Sequence, residues 1–376
     1  MDTKTVVEGK ARIEIPVADL TKKSPTFFNE LAEMQRTLSV LFLQALGEPL
    51  RAVDLLSGSG IRGIRWKLET SVKEVHLNDS STTAIASIKR NVELNKVNVE
   101  IHCGTAAQFF NSVKGFNYVD IDPFGTPVPF LDAAVRTIVN PGYLSVTATD
   151  TAALCGTVPS ACLRKYWAMP LRNDFMYETG LRILARKVQL IAAQYGIVAN
   201  VLYVTGLHHY MSVYFRLTKS RTKVDAVLKS HGYVHFCPRC LTIQTSKQNV
   251  PMRCCEIDMQ VAGPLYLGPL WDTNLANTMH ELSKSYGADV QKLTALISSE
   301  STIPCVGFYN IHTLCKKMHV SIPRTVAFMI ALEKSGHRCS PTHLQPLGIR
   351  TAVPLEAVKN VLTCTPTHQH RAARRA

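Results

Sequence analysis

From Leu50 to about Ser220 the chain alternates short apolar, β-branched runs with longer helical stretches, and this alternation limits the possible folds more than any other feature. The runs are Arg51 to Leu56, Glu74 to Leu77, Val97 to His102, Phe116 to Ile121, Tyr143 to Thr147, Gly196 to Tyr203 and Met211 to Leu217. Helical patterns such as Ser81 to Asn95 and Tyr177 to Tyr195 lie between them. Strands separated by amphipathic helices bury both faces by forming a parallel sheet wrapped by those helices, the doubly wound α/β arrangement. Only Thr205 to Tyr210 separates the last two runs, too short a link for a parallel crossover, so the final strand is expected to return antiparallel. Before the sheet, an amphipathic helix over about Asn29 to Leu46, preceded by Phe27-Phe28, is expected to cover the sheet or lid a cleft.

A chain of 376 residues exceeds what one core usually serves, and its composition shifts after Ser220. Two domains are therefore expected, residues 1–220 and 221–376. The second holds a Cys-rich, loop-rich patch over 231–270, then helices around the His319-Val320-Ser321-Ile322-Pro323 turn. The helix Arg324 to Lys334 followed by Arg338 to Thr351 fits a helix-turn-helix with a wing, the alternative being a small helical packing domain. Lys and Arg number 42 against 28 Asp and Glu, a formal charge of +14 that favours a polyanionic partner, nucleic acid first. No stretch has the apolar continuity of a membrane-spanning helix and Met1 to Lys10 has no signal-peptide core, so a cytoplasmic protein is expected. Eleven scattered cysteines, an odd number, argue against a disulfide framework. The basic end, His368 to Ala376, is expected to be disordered.

Three strand ends carry the chemistry. Asp54-Leu55-Leu56-Ser57-Gly58-Ser59-Gly60-Ile61-Arg62-Gly63 joins the first strand to a helix, where glycines and free N–H groups let a ligand approach the backbone. Asp79 ends the second strand at the spacing suited to a ribose diol, or else caps the following helix. No Gly-Lys-Ser/Thr loop is present, so a nucleoside cofactor without phosphates fits better than NAD or ATP. Asp120-Ile121-Asp122-Pro123-Phe124-Gly125-Thr126-Pro127 ends the fourth strand in a rigid turn that presents the Asp122 carboxylate and the Pro123 carbonyl. Two such acceptors suit an exocyclic NH2: they bind its protons and stabilise positive charge growing on nitrogen. Phe124, with Phe27 or Phe28 opposite, is placed to stack a flipped base. Asp150, ending the fifth strand, orients the base edge or caps a helix, and Arg164, Lys165 and Arg172 beyond it are candidates for RNA phosphates.

Cys237-Pro238-Arg239-Cys240 forms a knuckle that with Cys254-Cys255 offers four thiolates to zinc. Adjacent cysteines do not easily share one tetrahedral ion, and His231 or His235 is an alternative ligand. The remaining cysteines lack ligand spacing.

Together these segments resemble the tRNA guanine-26 N2-dimethyltransferase family in its archaeal form. The resemblance rests on Asp54 to Arg65, Asp120 to Thr126, Thr149 to Gly156, Cys162 to Tyr166, Tyr177 to Arg182 and Gly263 to Gly268, and runs nearly end to end. It implies a Rossmann-like class I methyltransferase sheet with a C-terminal α+β RNA-binding domain. It also implies methyl transfer from S-adenosyl-L-methionine to guanine N2 at tRNA position 26, once and then usually twice. By position, Arg36 and Arg62 would contact the cofactor, Asp79 its ribose, and Thr105 and Ala106 its adenine; Asp122, Pro123 and Phe124 would hold the guanine, with Phe27 stacking. The chain departs from the family pattern at Thr105, where Asp is usual, and at Cys254-Cys255, where Cys-x-x-Cys is usual. The rivals are an amine methyltransferase acting on another RNA or DNA base, and a non-catalytic RNA-binding protein.

Overall fold

Strand alternation at the start of the chain builds a hairpin, β1 (Thr3–Glu8) and β2 (Ala11–Pro16), with Ala11, Ile13 and Ile15 all turned inward. The computed structural model describes residues 3–16 and 28–365, so Phe27 and the basic end His368 to Ala376 lie outside the described residues. The helix expected from Asn29 appears as a single turn, Glu30–Ala32, capped by the Asn29 side chain and continuing into α1 (Glu33–Leu46). There follow β3 (Arg51–Asp54), α2 (Ile61–Glu69), β4 (Glu74–Asp79), α3 (Thr82–Asn95), β5 (Glu100–Cys103), α4 (Ala106–Ser112) and β6 (Phe116–Ile121). Then come α5 (Val128–Thr137), β7 (Ile138–Ala148), the short α6 (Thr151–Leu154), α7 (Pro159–Tyr166), α8 (Met176–Ala193), β8 (Ile197–Leu207) and β9 (Tyr210–Lys219).

Seven of these strands form one sheet in the order β5-β4-β3-β6-β7-β9-β8. The first five run parallel and β9 lies antiparallel between β7 and β8, as the short 205–210 link requires. Connections leave β3 on one side for β4 and return to β6 on the other, so the switch point falls between β3 and β6, where Asp54 pairs with Asp120. Close packing of α2 on β4 needs a glycine at 63: a Cβ there would sit 2.2 Å from Leu77 Cδ2. Helix α1 buries Leu38, Leu41 and Phe42, and the Phe42 ring lies 4.6 Å from that of Tyr214. Truncating such a ring to Ala typically costs about 3–5 kcal/mol.

Beyond the sheet lie α9 (Arg221–Lys229), β10 (His231–Phe236), β11 (Ile243–Ser246), the ribbon β12 (Arg253–Cys254) and β13 (Ile257–Asp258), and β14 (Gln260–Tyr266). They are followed by α10 (Thr273–Ser283), α11 (Ala288–Ser301), β15 (Tyr309–Asn310), α12 (Ile311–Met318), α13 (Thr325–Lys334), β16 (Cys339–Thr342), β17 (Gln345–Thr351) and α14 (Leu355–Cys364). Helices α12 and α13 are followed by the antiparallel β16–β17 pair, and β17 also pairs with β15.

The chain forms two compact units, but not by one cut near residue 220. One comprises Met1–Asp150, Val188–Leu228 and Thr278–Gln291, the other Thr151–Lys187, Lys229–Asn277 and Lys292–Ala376. The second unit is centred on Glu178, fully buried between Arg182 (2.8 Å) and Arg350, and accepting the Gly307 N–H at 2.7 Å. Burial alone would raise this carboxyl, yet Arg350, Arg182 and Gly307 hold it down to about 2.

Candidate functional site

At the switch point one guanidinium organises the strand ends. Arg62, on the first turn of α2, is nearly fully buried and ion-paired to Asp122; it donates to Gln35 Oε1 at 2.7 Å, and its Nε lies 3.7 Å from Asp120 Oδ1. Gln35 in turn donates to Thr147 Oγ1 (2.9 Å) and Ser212 Oγ (3.3 Å), tying α1 to β7 and β9. The Tyr118 hydroxyl donates to Asp120 at 3.1 Å. Asp54 lies in the same field: burial, with repulsion from Asp120, Asp122 and Asp79, outweighs Arg62 and lifts it to about 8. Burial likewise raises Asp122 above the ordinary carboxylate value, opposed by Arg62.

The Asp122 turn is clamped at its far side. Gly125 donates its N–H to Thr149 Oγ1 at 2.6 Å and accepts from Thr149 N–H at 2.9 Å; its φ of +92° is one that side chains rarely adopt. The Asp122 side chain is 17% exposed and Phe124 is 55% exposed, so the turn presents a carboxylate and an aromatic ring at the strand ends.

Asp79 closes the glycine turn, accepting from Gly58 N–H (3.0 Å) and Ser81 N–H (2.9 Å). A carboxylate has about four acceptor positions, so two remain for a diol. Ser81, not Asp79, caps α3, accepting from Ala84 N–H. Thr105 caps α4: its hydroxyl accepts from Gln108 N–H and donates to Gln108 Oε1 at 2.9 Å, and its own N–H goes to the same oxygen. With the hydroxyl committed, the N–H of Ala106, in the first turn, is the group this segment can offer a ligand.

Arg36 is held by a residue absent from the sequence-derived site. Glu8, on β1, pairs with Arg36 (Nε to Oε1, 2.8 Å) and with Arg65 (2.8 Å), while Asn29 O accepts from Arg36 Nη1 at 3.0 Å. Against burial, Arg36 and Arg65 keep the Glu8 carboxyl below its ordinary value. Phe28 is buried with the Arg36 guanidinium 5.0 Å above its ring, so it supports Arg36 and is not presented for base stacking. Phe27 lies outside the described residues.

The four cysteines converge. The sulfurs of Cys237, Cys240, Cys254 and Cys255 all lie within 4.8 Å of one another, with Cys240 to Cys254 at 3.4 Å and Cys254 to Cys255 at 3.8 Å. Tetrahedral zinc–thiolate bonds would separate sulfurs by about 3.8 Å. Adjacency does not keep Cys254 and Cys255 apart here, because Cys255 (φ +50°) and Glu256 (φ +63°) turn tightly between β12 and β13 and bring both sulfurs to one side. Burial would raise Cys240, but hydrogen bonds from Thr242 and from Cys254 hold it down to about 6, toward the thiolate a metal needs. No histidine joins the group among the described residues; His235 Nε2 is instead 2.8 Å from Ser246 Oγ.

A doubly wound sheet in this order, with an antiparallel final hairpin and acidic residues at the ends of its central strands, defines a Rossmann-like methyltransferase. The model of the N2,N2-dimethylguanosine tRNA methyltransferase family matches residues 5–363, and the chain belongs to that family. It is 38% identical to a tRNA (guanine(26)-N(2))-dimethyltransferase of Methanothermobacter thermautotrophicus, over 95% of this chain and 98% of the relative. Identity is also 38% to the tRNA (guanine(26)-N(2)/guanine(27)-N(2))-dimethyltransferase of Aquifex aeolicus, over 94% of each chain. The solved structure of Trm1 from Pyrococcus horikoshii with S-adenosyl-L-methionine superposes with a TM-score of 0.88 at 33% identity, covering 96% of this chain and 99% of that one.

Proposed function

We propose that this chain methylates the exocyclic N2 amine of guanine 26 in tRNA, once and then a second time, using S-adenosyl-L-methionine. The observation that carries the reading is the pairing of Arg62 with Asp122 at the switch point of this sheet, beside Asp79 and the glycine turn. The cofactor fits the residues present. Asp79 keeps acceptor capacity for a ribose, and Arg62 Nη1, Asn78 Oδ1 and Asp120 Oδ1 are buried polar atoms with no hydrogen bond among the described residues. The glycine turn, Arg62, Asp79 and the Thr105-Ala106 segment would hold it. When bound, it supplies a methyl group on a sulfonium and needs no acid to leave as a thioether.

Asp122 and the Pro123 carbonyl would accept the two amine protons, turning the nitrogen lone pair outward, while Phe124 stacks the base. As the nitrogen gains a carbon and positive charge, its proton passes to Asp122, and from there to solvent. Arg62 orients Asp122 through their ion pair and favours its ionised form against the burial that raises the carboxyl. No cysteine takes part in the transfer. The four-cysteine cluster would hold zinc as a structural ion that fixes the β12–β13 turn.

Tests use transcript tRNA and labelled methyl donor. Replacing guanine 26 by adenine should abolish incorporation, and undiminished label would refute the position. The proposed reaction is cytoplasmic; no helix among the described residues is long and apolar enough to cross a membrane.

A further inference from the structure

The segment after the last site residues of the sheet, Thr151 to Arg172, holds Arg164, Lys165 and Arg172 and no acidic residue. Within it, Trp167 is 53% exposed. Its neighbours alternate, with Tyr166, Ala168 and Pro170 buried and Trp167 and Met169 outward. The backbone there is fixed: Trp167 N–H closes α7 on Leu163 O at 3.1 Å, and Met169 exchanges two 2.8 Å bonds with Gly263. Trp167 itself sits at φ +56°, a left-handed conformation costly for a bulky side chain. Under the ring, the ammonium of the buried Lys187 lies 3.1 Å from its centroid, a desolvated cation–π contact that sets the indole's orientation. Leu163 and Arg164, four and three residues before Trp167 on the last turns of α7, are both exposed.

We propose that Trp167 is a stacking platform for a tRNA base other than the methylated guanine, with Arg164 and Arg172 meeting the flanking phosphates. A rigid, oriented, exposed ring suits the face of an unpaired base, and a segment that carries Arg164, Lys165 and Arg172 with no acidic residue suits the backbone that bears it. A protein partner would have to be strongly acidic to match the same surface. The proposal rests on tRNA being the substrate.

Intrinsic fluorescence reads it directly, because the chain's other tryptophans, Trp66 and Trp271, are 0% and 6% exposed. Titrating the full chain with unmodified tRNA transcript, without methyl donor, should quench the long-wavelength emission in the wild type but not in Trp167→Phe, which keeps its tRNA affinity. Trp167→Ala should weaken tRNA binding about 5- to 150-fold, the range for one base–aromatic stack, and raise KM for tRNA with kcat nearly unchanged. Cofactor affinity should not move. Unchanged emission at saturating tRNA, or wild-type affinity in Trp167→Ala, overturns the proposal even if that variant's partner Trp167→Phe folds perfectly well. Self-association that disappears in Trp167→Ala, with tRNA binding intact, would assign the surface to a second copy instead. Failure here with tRNA methylation intact leaves the functional reading standing; a wild type that neither binds nor methylates tRNA removes both.

Discussion

In the proposed reaction Asp122 is the residue on which the chemistry depends, and its surroundings make two predictions. Asp122→Ala should lower single-turnover methyl transfer by about 100- to 1000-fold, the usual cost of one group that acts on transition-state charge, while cofactor affinity by calorimetry changes far less. Equal loss of both would make Asp122 a cofactor ligand. Because burial raises its carboxyl and the ionised form is the one that binds the amine, the rate should rise with pH and level off above that raised value. A flat profile through the acidic range would contradict the role. The turn that carries Asp122, Pro123 and Phe124 was legible in the sequence because an Asp-Pro-aromatic-Gly run restricts its own conformation. Glu8 was not, since it pairs with Arg36 and Arg65, 28 and 57 residues away, and no local pattern announces such a partner. Glu8→Gln would leave Arg36 without its carboxylate and should cost about 3–5 kcal/mol, visible in denaturant unfolding.

Among elements, the alternation of runs located all seven strands of the sheet, because a buried parallel strand between amphipathic helices has a pattern no loop imitates. Strand β7 begins five residues earlier than the apolar run at Tyr143, through Asn140-Pro141-Gly142, residues that ordinarily end strands. The β1–β2 hairpin has little signature in the sequence because two short alternating strands are a weak signal until α3 packs on them: Asn91 and Asn95 accept from the N–H groups of Glu14 and Arg12 at 2.8 Å. The cysteine ribbon shows the opposite limit, since the spacing of Cys254 and Cys255 argues against joint ligation and the left-handed conformations of Cys255 and Glu256, which overcome it, have no sequence signature. Stripping metal with a chelator should lower the thermal midpoint, and Cys240→Ser should abolish that response; a protein isolated without metal and insensitive to zinc would exclude the site. Helix α8 supplies an acid-stability prediction. With Glu178 held at about 2 against an ordinary 4.5, its contribution is complete above 4.5 and is lost as pH falls toward 2. The stability gap between wild type and Glu178→Gln should therefore be widest near neutrality and narrow through that window.

At the scale of the whole molecule, the two units interleave along the chain, which a change in composition near Ser220 could not reveal: composition is linear, whereas residues 151–187 and 278–291 join units by packing. The net charge of +14 speaks about partners and not about fold. Binding of tRNA should weaken steeply with salt, in a log–log plot whose slope becomes shallower when Arg164 and Arg172 are removed, as phosphate contacts release fewer counterions. The most direct measurement is to incubate the purified chain with unmodified tRNA transcript and methyl-labelled S-adenosyl-L-methionine, digest the product and identify the labelled nucleoside. N2-methylated and then N2,N2-dimethylated guanosine at position 26 is the predicted result, and label on any other base, or no label on tRNA that is demonstrably bound, would contradict it.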